Sequence, residues 1–573
     1  MSAFAAFNQS SKNSSESSLF NAALSNTITK SSIKANPKNS IFADDSIILG
    51  LNKDDYIIVN GTYELTILKG DVLVNNLFKL GQGKSYPIIT NAYQSLPVIC
   101  GMEGSSKKQE SILPAYTSVV KISNLDTGLQ HVGHVSPKLS DSYFLGRSSP
   151  YTFEVVEEPQ ENVMGFRVNS STHRAITEVS EKLLSGEIKS SLVVGAAFCG
   201  KSTFAHTFLN YLLFNGSTDV VVIDLDPNSG KFSFPGCLAL TVHSHPSIGV
   251  HTPTDRLENE SVYYGHSNPT ALPTYYVKCV EQLKEAYMAT WKHLPLIINA
   301  PPTIKGLGRE LLARITEMFH DLDPTLVYLS QNDSLTIEDF DVDEFEVQDN
   351  PDDEVLADLT YTSSYKVHAT RRKPKCSGPL AHELATIQYF HRISQFRWDV
   401  QSFLVQTPPS VIPFSPNDPR AVPAIASLHQ TITSLRRENI QDYIEASLVA
   451  LCAIDIPRKS LSKTSPQFIN TDDFTQHKST VVCHCIIHSL KLKEGYYLVY
   501  LPKDPTTTNR LKQAFSSNQT LAFVKGEGSI PPGEISVPQF TGRNIPYVVP
   551  EPLSKVGGVW NIRKNLGRKN QKS

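Results

Sequence analysis

One stretch constrains this chain more than any other: Ser191-Leu192-Val193-Val194-Gly195-Ala196-Ala197-Phe198-Cys199-Gly200-Lys201-Ser202-Thr203. An apolar run of strand length stops at Gly195, four residues separate it from Gly200, and Lys201 and Ser202 follow at once. This is G-x-x-x-x-G-K-[ST], a phosphate-binding loop whose glycines let backbone N–H groups converge on an anion. The spacing assigns Gly195, Ala196, Ala197, Phe198, Cys199, Gly200, Lys201, Ser202 and Thr203 to nucleotide binding. Lys201 can reach the terminal phosphates, the Ser202 hydroxyl suits Mg²⁺, and the helix predicted over 203–214 points its positive end at the anion.

Downstream, Val220-Val221-Val222-Ile223-Asp224-Leu225-Asp226 is a continuous apolar run that ends in carboxylates. Such a run fits a strand buried on both faces of a parallel sheet. In a P-loop fold an acid at that strand end holds the metal shell or orients the nucleophile, which makes Asp224 and Asp226 candidates. Strand-like runs at 294–299 and 326–329 alternate with helical periodicity over 175–184, 275–291 and 308–319. The alternation predicts an α/β protein with a central P-loop NTPase-type parallel sheet.

At 573 residues the chain exceeds a single hydrophobic core, so several domains are expected. Residues 1–43 are rich in Ser, Asn and Lys and read as a disordered tail. Residues 44–160 carry short β-rich runs punctuated by Gly50, Gly61, Gly70 and Gly81, the pattern of a small sandwich or barrel. Residues 161–407 form the P-loop domain, with an acidic insertion over 336–358 and a basic segment, Arg371-Arg372-Lys373-Pro374-Lys375, in a lid region. Residues 408–559 are β-rich again, so the central sheet is flanked by N-terminal and C-terminal β-rich domains. In the C-terminal domain Cys483, His484, Cys485 and His488 invite a zinc reading. Strand alternation sends Cys483 and Cys485 to one face and His484 to the other, a poor start for a tetrahedral site, so these residues read as structural. Residues 560–573 form a basic tail suited to RNA or to a partner's groove.

The formal net charge of −3 excludes a global polycation, so a nucleic-acid surface must be a local patch. The eight cysteines show no framework spacing, which favours a reducing intracellular compartment. No basic-then-apolar leader opens the chain and no run of about 18 apolar residues occurs, so no membrane association is expected.

Several further stretches occur in a specific order. They are Tyr63-Glu64-Leu65-Thr66-Ile67-Leu68-Lys69-Gly70, the phosphate loop, Asp224-Leu225-Asp226-Pro227, and Phe232-Ser233-Phe234-Pro235-Gly236. Tyr264-Gly265-His266-Ser267-Asn268-Pro269, Ile298-Asn299-Ala300-Pro301, Tyr389-Phe390-His391 and Arg563-Lys564-Asn565-Leu566 follow. In this order, over roughly residues 46–568, the chain resembles the polynucleotide 5′-hydroxyl kinases, specifically the nucleolar branch that acts in pre-ribosomal RNA processing. The resemblance implies transfer of the ATP γ-phosphate to the 5′-OH of RNA, with ATP and Mg²⁺ as cofactors. Catalysis would then fall to Lys201, to Asp226 at the RNA hydroxyl, and to Arg371 and Arg372 as a lid clamp, with Ser202 and Asp224 on the metal. It also implies pre-rRNA 5′-OH ends as substrate, a HEPN-type endoribonuclease docked by the basic C-terminal tail, and a nuclear, nucleolar location.

The chain departs from the family twice. Asn228-Ser229-Gly230 replaces the usual Gly-Gln-Pro, and Ala300-Pro301-Pro302-Thr303 replaces a Thr-Pro-Gly-Trp type motif. These departures raise one alternative to the active kinase, an ATP-binding scaffold that supports the nuclease; a second alternative is the sister family, the kinase subunit of the pre-mRNA cleavage factor.

Overall fold

The computed structural model describes residues 28–103, 112–144, 146, 149–160, 163–249, 258–302, 305–330, 359–368, 377–458, 461, 465–517 and 519–535. The acidic insertion, Arg371 and Arg372, and the basic tail lie outside the described residues.

The central sheet has seven strands. In chain order they are β1 (Ser190–Gly195), β2 (Val220–Asp224), β3 (Cys237–His243), β4 (Glu258–Tyr263), β5 (Leu296–Asn299), β6 (Thr325–Ser330) and β7 (Ser363–His368). Across the sheet the order is β4-β3-β2-β5-β1-β6-β7. From β2 to β7 every neighbouring pair is parallel, as the apolar runs predict. The edge departs from that expectation, because β3 and β4 run antiparallel. The reason is local: residues 225–236 between β2 and β3 hold no helix, and a parallel return needs a crossover of a dozen or more residues, usually helical.

Among the described residues five α-helices accompany the sheet: α1 (Ser170–Ser185), α2 (Lys201–Phe214), α3 (Pro273–Ala286), α4 (Leu307–Met318) and α5 (Gly378–His391). Strand alternation divides them. Val193 of β1 joins Ile176, Val179, Phe204 and Phe208 of α1 and α2 in one core, which extends into the N-terminal sheet through Leu65 and Ile67. Leu192 and Val194 face the opposite core, with Tyr276 and Cys279 of α3, Leu312 and Ile315 of α4, and Leu448 and Ala450 of the C-terminal sheet. The P-loop sheet is therefore packed between the two β-rich units. Among the described residues no helix is long and apolar enough to cross a membrane.

Three features of the N-terminal unit differ from the sequence expectation. Residues 28–43, read as part of a disordered tail, include a strand, Ser40–Phe42, paired with the strand Ser46–Leu51. The Ser31 hydroxyl accepts from Ile58 N at 3.0 Å, Ser31 N donates to Val156 O at 2.7 Å, and Ile28 and Ile33 pack against the apolar cores. The polar composition hides these side chains, which complete backbone pairing. Gly61 is not a turn but lies inside one 14-residue strand, Tyr56–Lys69. There a Cβ would lie 2.3 Å from Thr152 O, so glycine admits a neighbouring chain rather than a reversal. The N-terminal sheet also recruits Gly165–Phe166, which pair with Leu96 and Pro97 beyond the predicted boundary at 160.

The C-terminal sheet has seven strands, and Ser447–Ile454 and Ser479–Lys491 pair at its centre. As alternation requires, Cys483 and Cys485 fill the core of this unit. His484 faces the other way, stacked on Phe234. Full burial pushes the His484 imidazole down to about 3. Because that value lies below the ordinary 6.5, stability from His484 is complete above pH 6.5 and is lost as pH falls toward 3. The loss amounts to about 3 kcal/mol by pH 4.5. His484→Phe should flatten this acid limb in urea melts between pH 6.5 and 4.5.

Candidate active site

β1 delivers the chain to Gly195, and close packing rather than a tight turn requires glycine there. A Cβ at 195 would lie 2.7 Å from Cys199 Sγ and 2.9 Å from Leu329 O. Gly200 caps α2 with φ 94°, a left-handed conformation that suits glycine. Between them Phe198 also takes a left-handed φ of 63° and is 65% exposed. Lys201, the first residue of α2, is buried, and its Nζ donates to Ala196 O at 3.1 Å. The ammonium is thus folded back over the loop whose N–H groups, with the α2 N-terminus, form an anion cradle.

β2 ends beside this cradle at Asp224, which is fully buried. Its Oδ1 accepts from Asn299 Nδ2 at 2.8 Å and from Asp226 N at 3.3 Å, and its Oδ2 accepts from Ser229 Oγ at 2.9 Å. The Asn299 amide also reaches Ser202 Oγ at 3.4 Å, linking the loop to the carboxylate. One residue on, the turn is braced by Tyr276, whose hydroxyl donates to Leu225 O at 2.6 Å. Asp226 accepts from Asn228 N at 3.1 Å and is 7% exposed. Burial pushes the Asp226 carboxyl up to about 7; the Lys201 charge pulls it down and the Asp224 charge pushes it up. His382 of α5 approaches the same turn, with Nε2 3.0 Å from Asn228 O.

These groups suit a metal-assisted nucleotide site. Asn299 Oδ1 is buried beside Ser202 and Asp224 with no hydrogen-bond partner among the described residues, as a member of a metal's water shell would be. A cavity of about 920 Å³ opens from Phe198, Gly200 and Thr203 toward Arg167 and Tyr93, and has room for a nucleoside.

The structure brings together Gly195 to Thr203, Asp224 and Asp226. Asn299, Ser229 and Tyr276 were not singled out. Asn299 ends an apolar run as Asp224 does, and that was the available signal. Ser229 belongs to the stretch that departs from Gly-Gln-Pro, yet its hydroxyl bonds Asp224.

Fold and site together define a P-loop nucleotide-binding protein with a strand-end carboxylate pair. Residues 195–367 match the P-loop domain of the mRNA cleavage and polyadenylation factor CLP1. Over 95% of its length the chain is 26% identical to the polynucleotide 5′-hydroxyl-kinase GRC3 of Debaryomyces hansenii, covering 88% of that protein. It is likewise 26% identical over 95% of its length to GRC3 of Candida albicans, covering 87% of that protein. With GRC3 of Saccharomyces cerevisiae it shares 21% identity over 92% of its length and 88% of the relative. A solved Clp1p structure with Pcf11p, concerned with ATP loss in a point mutant, covers 85% of this chain and 100% of its own at 12% identity and TM-score 0.50, a likeness of fold. Over most of its length the chain is thus similar to curated polynucleotide 5′-hydroxyl-kinases, and its central part matches the CLP1 P-loop model.

Proposed function

We propose that this protein transfers the γ-phosphate of ATP to the 5′-hydroxyl of RNA. The observation that carries the reading is Asp226: a buried carboxyl near neutrality, just past the strand end that Asn299 links to the phosphate loop, and under the charge of Lys201. A base with that affinity accepts a proton at cellular pH without being fully protonated beforehand. The hydroxyl proton passes to Asp226 as the 5′-oxygen bonds the γ-phosphorus. The bond from that phosphorus to the bridging oxygen breaks, and Lys201 and the loop N–H groups hold the charge on departing ADP. Ser202, Asp224 and Asn299 are the residues to hold Mg²⁺ and its waters, and the ion would neutralise phosphate charge there.

Ser229→Ala removes one hydrogen bond from Asp224 and should raise the Mg²⁺ concentration for half-maximal rate about tenfold, with kcat at saturating metal nearly unchanged. A metal titration of initial rate reads this directly.

The finer reading rests on the resemblance of the ordered sequence stretches to the nucleolar kinase branch and on the basic tail. The substrate is a pre-rRNA 5′-OH end in the nucleolus, made by a HEPN-type endoribonuclease that residues 560–573 dock, with Arg563, Lys564, Arg568 and Lys569 as basic contacts. Arg371 and Arg372 are the proposed lid clamp. Labelled ATP is offered with RNA bearing either a 5′-OH or a 5′-phosphate, with and without the co-purifying nuclease. Label on the 5′-OH RNA alone is expected. No transfer in either condition would leave the scaffold reading in its place.

A further inference from the structure

The Cys483-His484-Cys485 stretch has no part in the chemistry above, yet its middle residue reaches the catalytic loop. His484 is fully buried, and its ring lies 3.8 Å from that of Phe234 at an interplanar angle of 18°. Its Nε2 is 3.4 Å from Cys237 Sγ, at the start of β3. Tyr389 of α5 closes the group: its ring meets Phe234 edge-on at 4.9 Å, and its hydroxyl accepts from His484 N at 3.0 Å. The 225–236 segment, α5 and the C-terminal sheet therefore meet at one aromatic stack.

Phe234 is not a neutral anchor. It lies in the 225–236 segment, an arch closed where Gly236 N donates to Pro227 O at 2.8 Å. Pro227 follows Asp226 directly. One residue before Phe234, Ser233 Oγ spans Cys237 O at 3.2 Å and Asp224 Oδ2 at 3.5 Å. A shift of the Phe234 ring thus bears on the Asp224 carboxylate through Ser233 and on the backbone beside Asp226 through the Gly236–Pro227 bond. Aromatic pairs of this kind stabilise beyond their buried area, so the stack holds the loop in one arrangement.

We propose that His484 is a positioning residue for phosphoryl transfer: by stacking on Phe234, the C-terminal sheet holds the 225–236 arch and with it Asp226. The proposal rests on the reading of Asp226 as the carboxylate that faces the RNA hydroxyl. The imidazole acts as a neutral ring, so a phenyl ring can replace it. The nucleotide cradle, built on β1 and α2, does not pass through the stack. Loss of His484 therefore separates chemistry from nucleotide binding.

The test uses full-length protein with His484→Ala, His484→Phe, Phe234→Leu and the Phe234→Leu/His484→Ala double variant. His484→Ala should lower kcat about tenfold and leave the dissociation constant of a fluorescent ATP analogue within about twofold. His484→Phe should restore most of kcat, and the double variant should fall no further than the worse single one. Hydrogen exchange supplies a readout independent of activity. Peptides covering 227–236 should exchange about tenfold faster in His484→Ala, and peptides covering 190–200 should not change. If the wild type labels no RNA, the kinase reading falls, and the exchange result alone decides the coupling. The proposal is overturned if exchange over 227–236 is unaltered. It is also overturned if ATP binding falls in step with kcat, or if His484→Phe is as impaired as His484→Ala. Should His484→Ala fail to fold, Phe234→Leu carries the same measurements from the other side of the stack.

Discussion

Asp226→Asn is expected to lower kcat for RNA phosphorylation about a thousandfold and at the same time to make the protein more stable. The amide matches the carboxylate in shape and can still accept from Asn228 N, so the turn survives. It cannot take the hydroxyl proton. The stability gain follows from the direction of the shift. Burial raises the Asp226 carboxyl from its ordinary value near 3.8 to about 7. Between those values the folded protein holds a proton that the unfolded chain has released, so stability falls as pH rises through that window. At pH 7.5 the ionised, buried carboxylate therefore costs on the order of 1–4 kcal/mol, which asparagine removes. In the wild type kcat should rise with pH through about 7 and level off above it, and the variant's residual rate should lack this limb. Urea melts and pH–rate profiles measure the two halves. A variant both weaker and less stable would show Asp226 to be a packing residue.

Lys201→Ala should reduce kcat by two to three orders of magnitude and weaken ATP binding at least tenfold, because the buried cation over the phosphate loop is lost. Its effect extends to Asp226. The Lys201 charge holds that carboxyl down against burial, so its removal lets the carboxyl rise further. The residual activity of Lys201→Ala should therefore need a higher pH than the wild type. Loss of activity with an unmoved pH limb would contradict the electrostatic link between loop and carboxylate.

What was legible in the sequence was local and periodic. Gly195 to Thr203 declared a loop, a strand before it and a helix after it, and the run into Asp224 declared a buried strand. The partners of those groups were not legible, because sheet order brings them together. Asn299 reaches Asp224 since β5 pairs with β2, which places Asn299 opposite Asp224 in register. Ser229 and Ser233 depend on how an irregular segment bends, and no periodicity encodes that. His484 was read as structural because alternation shows which face of a strand a side chain occupies, but not what packs on that face. The antiparallel edge β3–β4 followed from a missing crossover helix that apolar content alone does not show. Residues 28–43 show the reverse failure, since their polar side chains complete the pairing of an apolar sheet.

The most direct test of the central claim, that this phosphate loop and carboxylate turn pass a phosphate from ATP to an RNA end, is a single-turnover chase. Protein bound to γ-labelled ATP is mixed with excess RNA ending in a 5′-hydroxyl, and the label is followed to the RNA 5′ end, to free phosphate, or in residual ATP. Transfer to the RNA 5′ end in the wild type, absent in Lys201→Ala, is the predicted result. Label that stays on ATP or appears only as free phosphate would contradict it.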